Sequence, residues 1–109
     1  MRKHFTMIIL LLSFIAILRD VSAEQKVVPV LKIVDAIHVG TAEVFQRAIK
    51  GAQEMGAPAL IIELDTPGGL LESTREIVQA LLNTEFPVVV WVAPQGARAA
   101  SAGSMIPMA

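Results

Sequence analysis

Past Glu24, apolar runs of strand length alternate with amphipathic stretches of helical period, and this alternation restricts what the chain can fold into. Val27 to Ile37 is rich in Val and Ile and reads as a strand, with Pro29 placing it at an edge or at an early position. Gly40-Thr41 opens a helix on which Ala42, Phe45, Ala48, Ile49, Ala52 and Met55 recur at helical spacing, and Gly56 closes it as a left-handed cap. Ala59 to Leu64 is a short run, apolar but for Glu63, the pattern of a buried parallel strand, broken by Pro67-Gly68-Gly69. A second helix follows, with Leu70, Thr74, Ile77, Val78 and Leu81 on one stripe and Glu72, Arg75, Glu76 and Gln79 on the other face. Pro87 precedes Val88 to Val92, the clearest strand in the chain, and small residues from Ala99 to Gly103 lead into a third helix. Helical crossovers between apolar strands force parallel pairing, so the fold class is α/β with a parallel sheet.

That topology directs attention to one edge. The C-terminal ends of parallel strands lie together, and ligands bind there. Two loops leave that edge: Asp65 to Gly69, and Pro94 to Ala100. If their strands are neighbours, the glycine pair and Ser101 converge. Gly68 and Gly69 can present bare backbone N–H groups to a ligand, because no Cβ blocks the approach. Acyl transfer needs such donors where a carbonyl oxygen becomes negative. Ser101 stands at a strand-to-helix turn among Ala100, Ala102 and Gly103, small neighbours that let a carbonyl come near. The Ala102 N–H is the second oxyanion donor in this reading. Taken singly, Pro-Gly-Gly is an ordinary turn and Ser101 an ordinary helix cap; their placement on one edge is what points to a site.

A nucleophilic serine needs a base. His4 lies in the N-terminal segment, and a triad of His38 with Asp35 or Asp65 has no motif behind it. Lys26 and Lys32 stand near the first strand, and Lys50 is on a solvated helix face. No base is identifiable within the chain.

Composition removes other classes. With 109 residues, 54% hydrophobic and 17% charged, the chain is too apolar for disorder and too poor in charge for a nucleic-acid binder. It has no cysteine, so disulfides, thiolate metal sites and a cysteine nucleophile are excluded, and stability must come from the core or from homo-oligomerisation. No metal or cofactor is expected. The apolar excess concentrates at the N-terminus, where Arg2, Lys3 and His4 precede an apolar run from Phe5 to Leu18. Val21-Ser22-Ala23 has the small-x-small pattern of a cleavage site before Glu24. The run is shorter than the roughly 20 residues that span a bilayer comfortably. Residues 1–23 are therefore expected to be a cleaved signal peptide or, second, an N-terminal anchor, and residues 24–109 the domain proper. The apolar ending from Met105 to Ala109 reads as a truncated domain.

The stretch from Asp65-Thr66-Pro67-Gly68-Gly69-Leu70-Leu71-Glu72 to Ile77 resembles the membrane-bound serine proteases of the NfeD family, called stomatin-operon partner proteases in archaea. So does Pro87 to Gly103, with its Ala100-Ser101-Ala102-Gly103, and the likeness runs in register from about Val30 to the last residue. The resemblance implies a ClpP/crotonase-like fold, incomplete here at the C-terminus, and a Ser-Lys dyad. The family's serine falls on Ser101 and its oxyanion donors on Gly68, Gly69 and Ala102. The dyad lysine follows in the next segment of the family and has no counterpart in this chain, so activity is expected of the full-length protein and not of these residues alone. A neutral lysine, its pKa lowered by burial, makes histidine unnecessary. The implied substrate is an apolar segment of a stomatin-like membrane protein, and the implied location is exported and membrane-associated, with the protease domain on the extracytoplasmic side. Two other readings stand beside this one: a crotonase-like acyl-CoA enzyme, and a non-catalytic scaffold for a membrane partner.

Overall fold

The computed structural model describes residues 2–20 and 25–109. Helix α1 spans Arg2–Asp20, and from Phe5 to Ile15 its large apolar side chains are exposed all round. Among the described residues no helix is long and apolar enough to cross a membrane. The expected cleavage pattern at Val21 to Ala23 lies outside the described residues.

The rest is three βα steps: β1 Val30–Val34, α2 Val39–Glu54, β2 Leu60–Asp65, α3 Leu71–Asn83, β3 Val88–Val92 and a 3₁₀ turn Ser101–Met105. All pairing is parallel in the order β1-β2-β3, with Val30 beside Ile61 and Leu60 beside Val88. Each crossover advances one strand in the same direction. Right-handed connections of that kind place both helices on one face of the sheet. Ile33, Leu60, Ile62 and Leu64 meet Phe45, Ile49 and Ala52 of α2 and Ile77 of α3 there, and Ile106 closes the core from beyond the 3₁₀ turn.

Several expectations are corrected. The first strand is five residues long: Val27 to Pro29 is irregular, and Ile37 pairs separately. Pro29 stands just before β1, an edge strand, where its missing N–H costs nothing. Helix α2 begins at Val39, one residue before Gly40, because His38 caps it. Its far end is a Schellman closure, with Gly56 N–H on Gln53 O at 3.0 Å, Ala57 N–H on Ala52 O at 3.0 Å, and Gly56 at φ +67°. Met55 and Leu70 lie outside the buried stripes and are exposed. The expected third helix is a 3₁₀ turn, since it is only five residues long and ends near Pro107. Neither β2 nor β3 is buried on both faces. Val30, Val34, Val89 and Trp91 lie exposed on the helix-free face around the Lys32–Glu63 ion pair at 3.2 Å.

Candidate active site

Beyond Asp65 the chain is held from both sides. Towards β3, Thr66 pairs with Ala99: its N–H donates to Arg98 O at 2.6 Å and its carbonyl accepts the Ala100 N–H at 3.0 Å. Asp65 Oδ1 accepts the Arg98 N–H at 3.1 Å. Towards β1, Gly69 pairs with Ile37, whose N–H donates to Gly68 O and whose carbonyl accepts the Leu70 N–H, both at 2.8 Å. The glycine loop is thus clamped between two segments that follow neighbouring strands.

The clamp brings the expected residues together. A Cβ added to Gly68 would stand 2.8 Å from Ser101 Cβ, 3.4 Å from its Oγ and 2.9 Å from Ala100 O. Gly68 itself is at φ +109°, which only glycine adopts readily. Gly69 is packed so closely on Ile37 that a Cβ would strike that residue's backbone. Ser101 is the one non-glycine residue with positive φ, +53°, among the described residues. Left-handed backbone costs an ordinary residue roughly 1–2 kcal/mol, and such strain gathers where a side chain must be aimed. Ala100 before it is extended, so the chain turns sharply at the serine and leaves it exposed.

The N–H groups differ in what they can still do. Gly68 N–H donates to Thr66 Oγ1 at 3.2 Å, and that hydroxyl also lies 3.2 Å from Gly68 O. The two bonds of the Ile37 bridge use Gly68 O and Leu70 N–H, so Gly69 N–H is directed away from Ile37. Neither Gly69 N–H nor Ala102 N–H meets an acceptor among the described residues; Ala102 stands in the first turn of a helix, where N–H groups have no internal partner. Gly103 N–H closes on Ala100 O at 3.0 Å.

No side chain among the described residues bonds the Ser101 hydroxyl. His38 is engaged elsewhere, with Nδ1 accepting the Gly40 N–H at 3.1 Å and Nε2 lying 3.7 Å from Asp35 Oδ2. Lys32 faces Glu63, and Lys50 lies 3.9 Å from Glu54 on the exposed side of α2. Two residues that the sequence left without a role, Thr66 and Ile37, build the site together with Gly103. Buried Thr66 joins the two loops, and Gly103 gives it room, since a Cβ there would come within 2.6 Å of Thr66 Cγ2. Ile37 holds the glycines. Thr66 lies inside the glycine motif and was open to notice; Ile37 carries no local signal, because its role exists only through the bridge.

The model of the NfeD1b N-terminal domain family matches residues 26–109. The chain belongs to that family. Its NfeD1b-type domain is 43% identical over 82 residues to the membrane-bound protease PH1510 of Pyrococcus horikoshii, covering 75% of this chain and 19% of that protein. It is 31% identical over 98 residues to the membrane protein NfeD1b of Bacillus subtilis, covering 90% of this chain and 22% of that one. The chain therefore spans about a fifth of the length of these relatives. Among solved structures, a serine-to-alanine mutant of the 1510-N membrane-bound stomatin-specific protease superposes with a TM-score of 0.75 at 40% identity, covering 79% of this chain and 42% of that one. A lysine-to-alanine mutant of the same protease, in complex with a substrate peptide, gives 0.74 at 41% identity, with 79% and 39% covered. The NfeD1b-type domain has the ClpP-like α/β fold of these neighbours, as the sequence resemblance implied.

Proposed function

We propose that this chain carries the nucleophile and the oxyanion donors of a serine endopeptidase of the Ser-Lys type, acting in the full-length protein on apolar segments of a membrane-associated partner. The observation that carries the reading is Ser101 itself, held exposed in a left-handed turn against Gly68. The relatives named as stomatin-specific proteases, with their serine and lysine mutants, support the same chemistry.

Ser101 Oγ attacks the scissile carbonyl as its proton passes to the neutral lysine that the Ser-Lys type implies for the full-length protein. The carbonyl oxygen becomes negative, and the unpartnered N–H groups of Gly69 and Ala102 receive it. Gly68 contributes closeness rather than a donor, because its own N–H is bonded to Thr66 and its missing Cβ leaves space beside the serine. Donors fixed by the Ile37 and Thr66 bridges need no reorganisation when charge develops, which is where such sites gain most of their rate.

The apolar α1, with Arg2 and Lys3 at its start, fits a signal peptide or N-terminal anchor that places the domain at the extracytoplasmic face of a membrane. The exposed Val30, Val34, Val89 and Trp91 supply an apolar surface suited to homo-oligomer assembly. Ser101→Ala in the full-length protein is expected to lower cleavage of an apolar peptide at least about 10³-fold while leaving the melting temperature within a few degrees. Undiminished cleavage would overturn the assignment.

A further inference from the structure

We infer that His38 is a positioning residue for the oxyanion donor at Gly69 and makes that donor sensitive to pH. The inference rests on the peptidase reading above and adds a residue that touches neither substrate nor serine.

Histidine is an unusual cap for a 16-residue helix, where Ser, Thr, Asp and Asn are preferred. Here Nδ1 accepts the Gly40 N–H at 3.1 Å, and the His38 N–H donates to Thr41 Oγ1 at 3.3 Å. The Thr41 hydroxyl also reaches Ala36 O at 3.3 Å, so Ala36 to Thr41 forms one bonded corner. Ile37 is inside that corner. Its two backbone bonds to Gly68 O and Leu70 N–H fix the glycine loop and leave the Gly69 N–H directed away from Ile37. The path from imidazole to oxyanion donor is therefore one residue of backbone and two short hydrogen bonds.

Only an unprotonated Nδ1 can accept. The ring proton then sits on Nε2, which faces Asp35 Oδ2 at 3.7 Å. Histidine side chains as a class change charge between about pH 5 and 8. When Nδ1 takes a proton from solvent it becomes a donor facing the Gly40 donor, and a cation stands at a helix N-terminus, where the dipole disfavours it. The charged ring is attracted instead to Asp35, on the opposite side of the imidazole. The cap requires an unprotonated Nδ1 and is lost when that nitrogen is protonated. Other charged groups near this corner are Lys32, paired with Glu63, and Arg47, 3.7 Å from Glu43. The Pro67 to Leu70 loop on the far side of Ile37 has no titratable side chain.

The test compares wild type, His38→Asn and His38→Ala in the full-length protein, reading kcat and KM against pH together with hydrogen exchange at the Ile37 and Leu70 amides. Asparagine accepts from the helix N-terminus at every pH; alanine never does. Wild type is expected to lose kcat and amide protection together as pH falls, and His38→Asn to keep both to lower pH. His38→Ala is expected to exchange about five-fold faster at both amides, with a similar loss in kcat and little change in KM, because the donor acts in the transition state. Superimposable pH profiles and exchange rates for wild type and His38→Asn overturn the inference. If Ser101→Ala cleaves normally the peptidase reading fails instead, and the exchange rates alone decide whether His38 holds the clamp.

Discussion

The two ends of the sheet use glycine in opposite ways. At the edge where β1 and β2 finish, Gly68, Gly69 and Gly103 are surrounded: an added Cβ would meet Ser101, the Ile37 backbone and Thr66 respectively. At the other edge, where α2 hands over to β2, Gly56 has nothing within 4 Å of an added Cβ, and neither has Gly51 in the last turns of α2. Backbones approach closely only at the first edge. There Gly68, Gly69 and Gly103 are a condition for assembling two loops, whereas at the second Gly56 serves a helix ending.

Substitutions can break or sharpen that contrast. Gly69→Ala should have the largest effect, because the methyl group must displace Ile37 and with it both bonds of the clamp. A loss of about 3 kcal/mol or more is expected, read by denaturant melting of the full-length protein, with peptide cleavage abolished. A neutral outcome would mean that the two segments are not in contact. Gly56→Ala should cost about 1 kcal/mol, from the left-handed backbone alone, and leave cleavage unchanged. If it matched the Gly69 variant, crowding would not distinguish the two edges. Gly51→Ala lies in ordinary helix with open space around it, so it should stabilise by about 0.5–1 kcal/mol, a small rise in melting temperature without effect on activity.

Much of this was legible without coordinates. Ala42, Phe45, Ile49 and Ala52 keep a helical period, and Val88 to Val92 is too β-branched for anything but a strand. The pairing of Gly68 with Ser101 followed from placing two strand ends side by side. Less legible were the half-buried far face of β2 and the exposed far face of β3, since an apolar run reads alike whether one face or both are covered. Met55 and Leu70 had the right spacing and the wrong side, because helix ends turn away from the core. His38 looked like a stray base candidate; its work as a cap depends on a ring nitrogen meeting Gly40, which spacing does not reveal.

Local sequence specified the parallel α/β order, the edge that carries the candidate site, and the family to which Asp65 to Gly69 and Ala100 to Gly103 belong. These depend on period, turn chemistry and motif, all of which are local. Tertiary structure decided which N–H groups stay unpartnered, the left-handed turn at Ser101, and the clamp of Ile37 on the glycines. Those properties arise between segments about thirty residues apart, where hydrogen-bond partners are chosen by packing and not by neighbours in the chain.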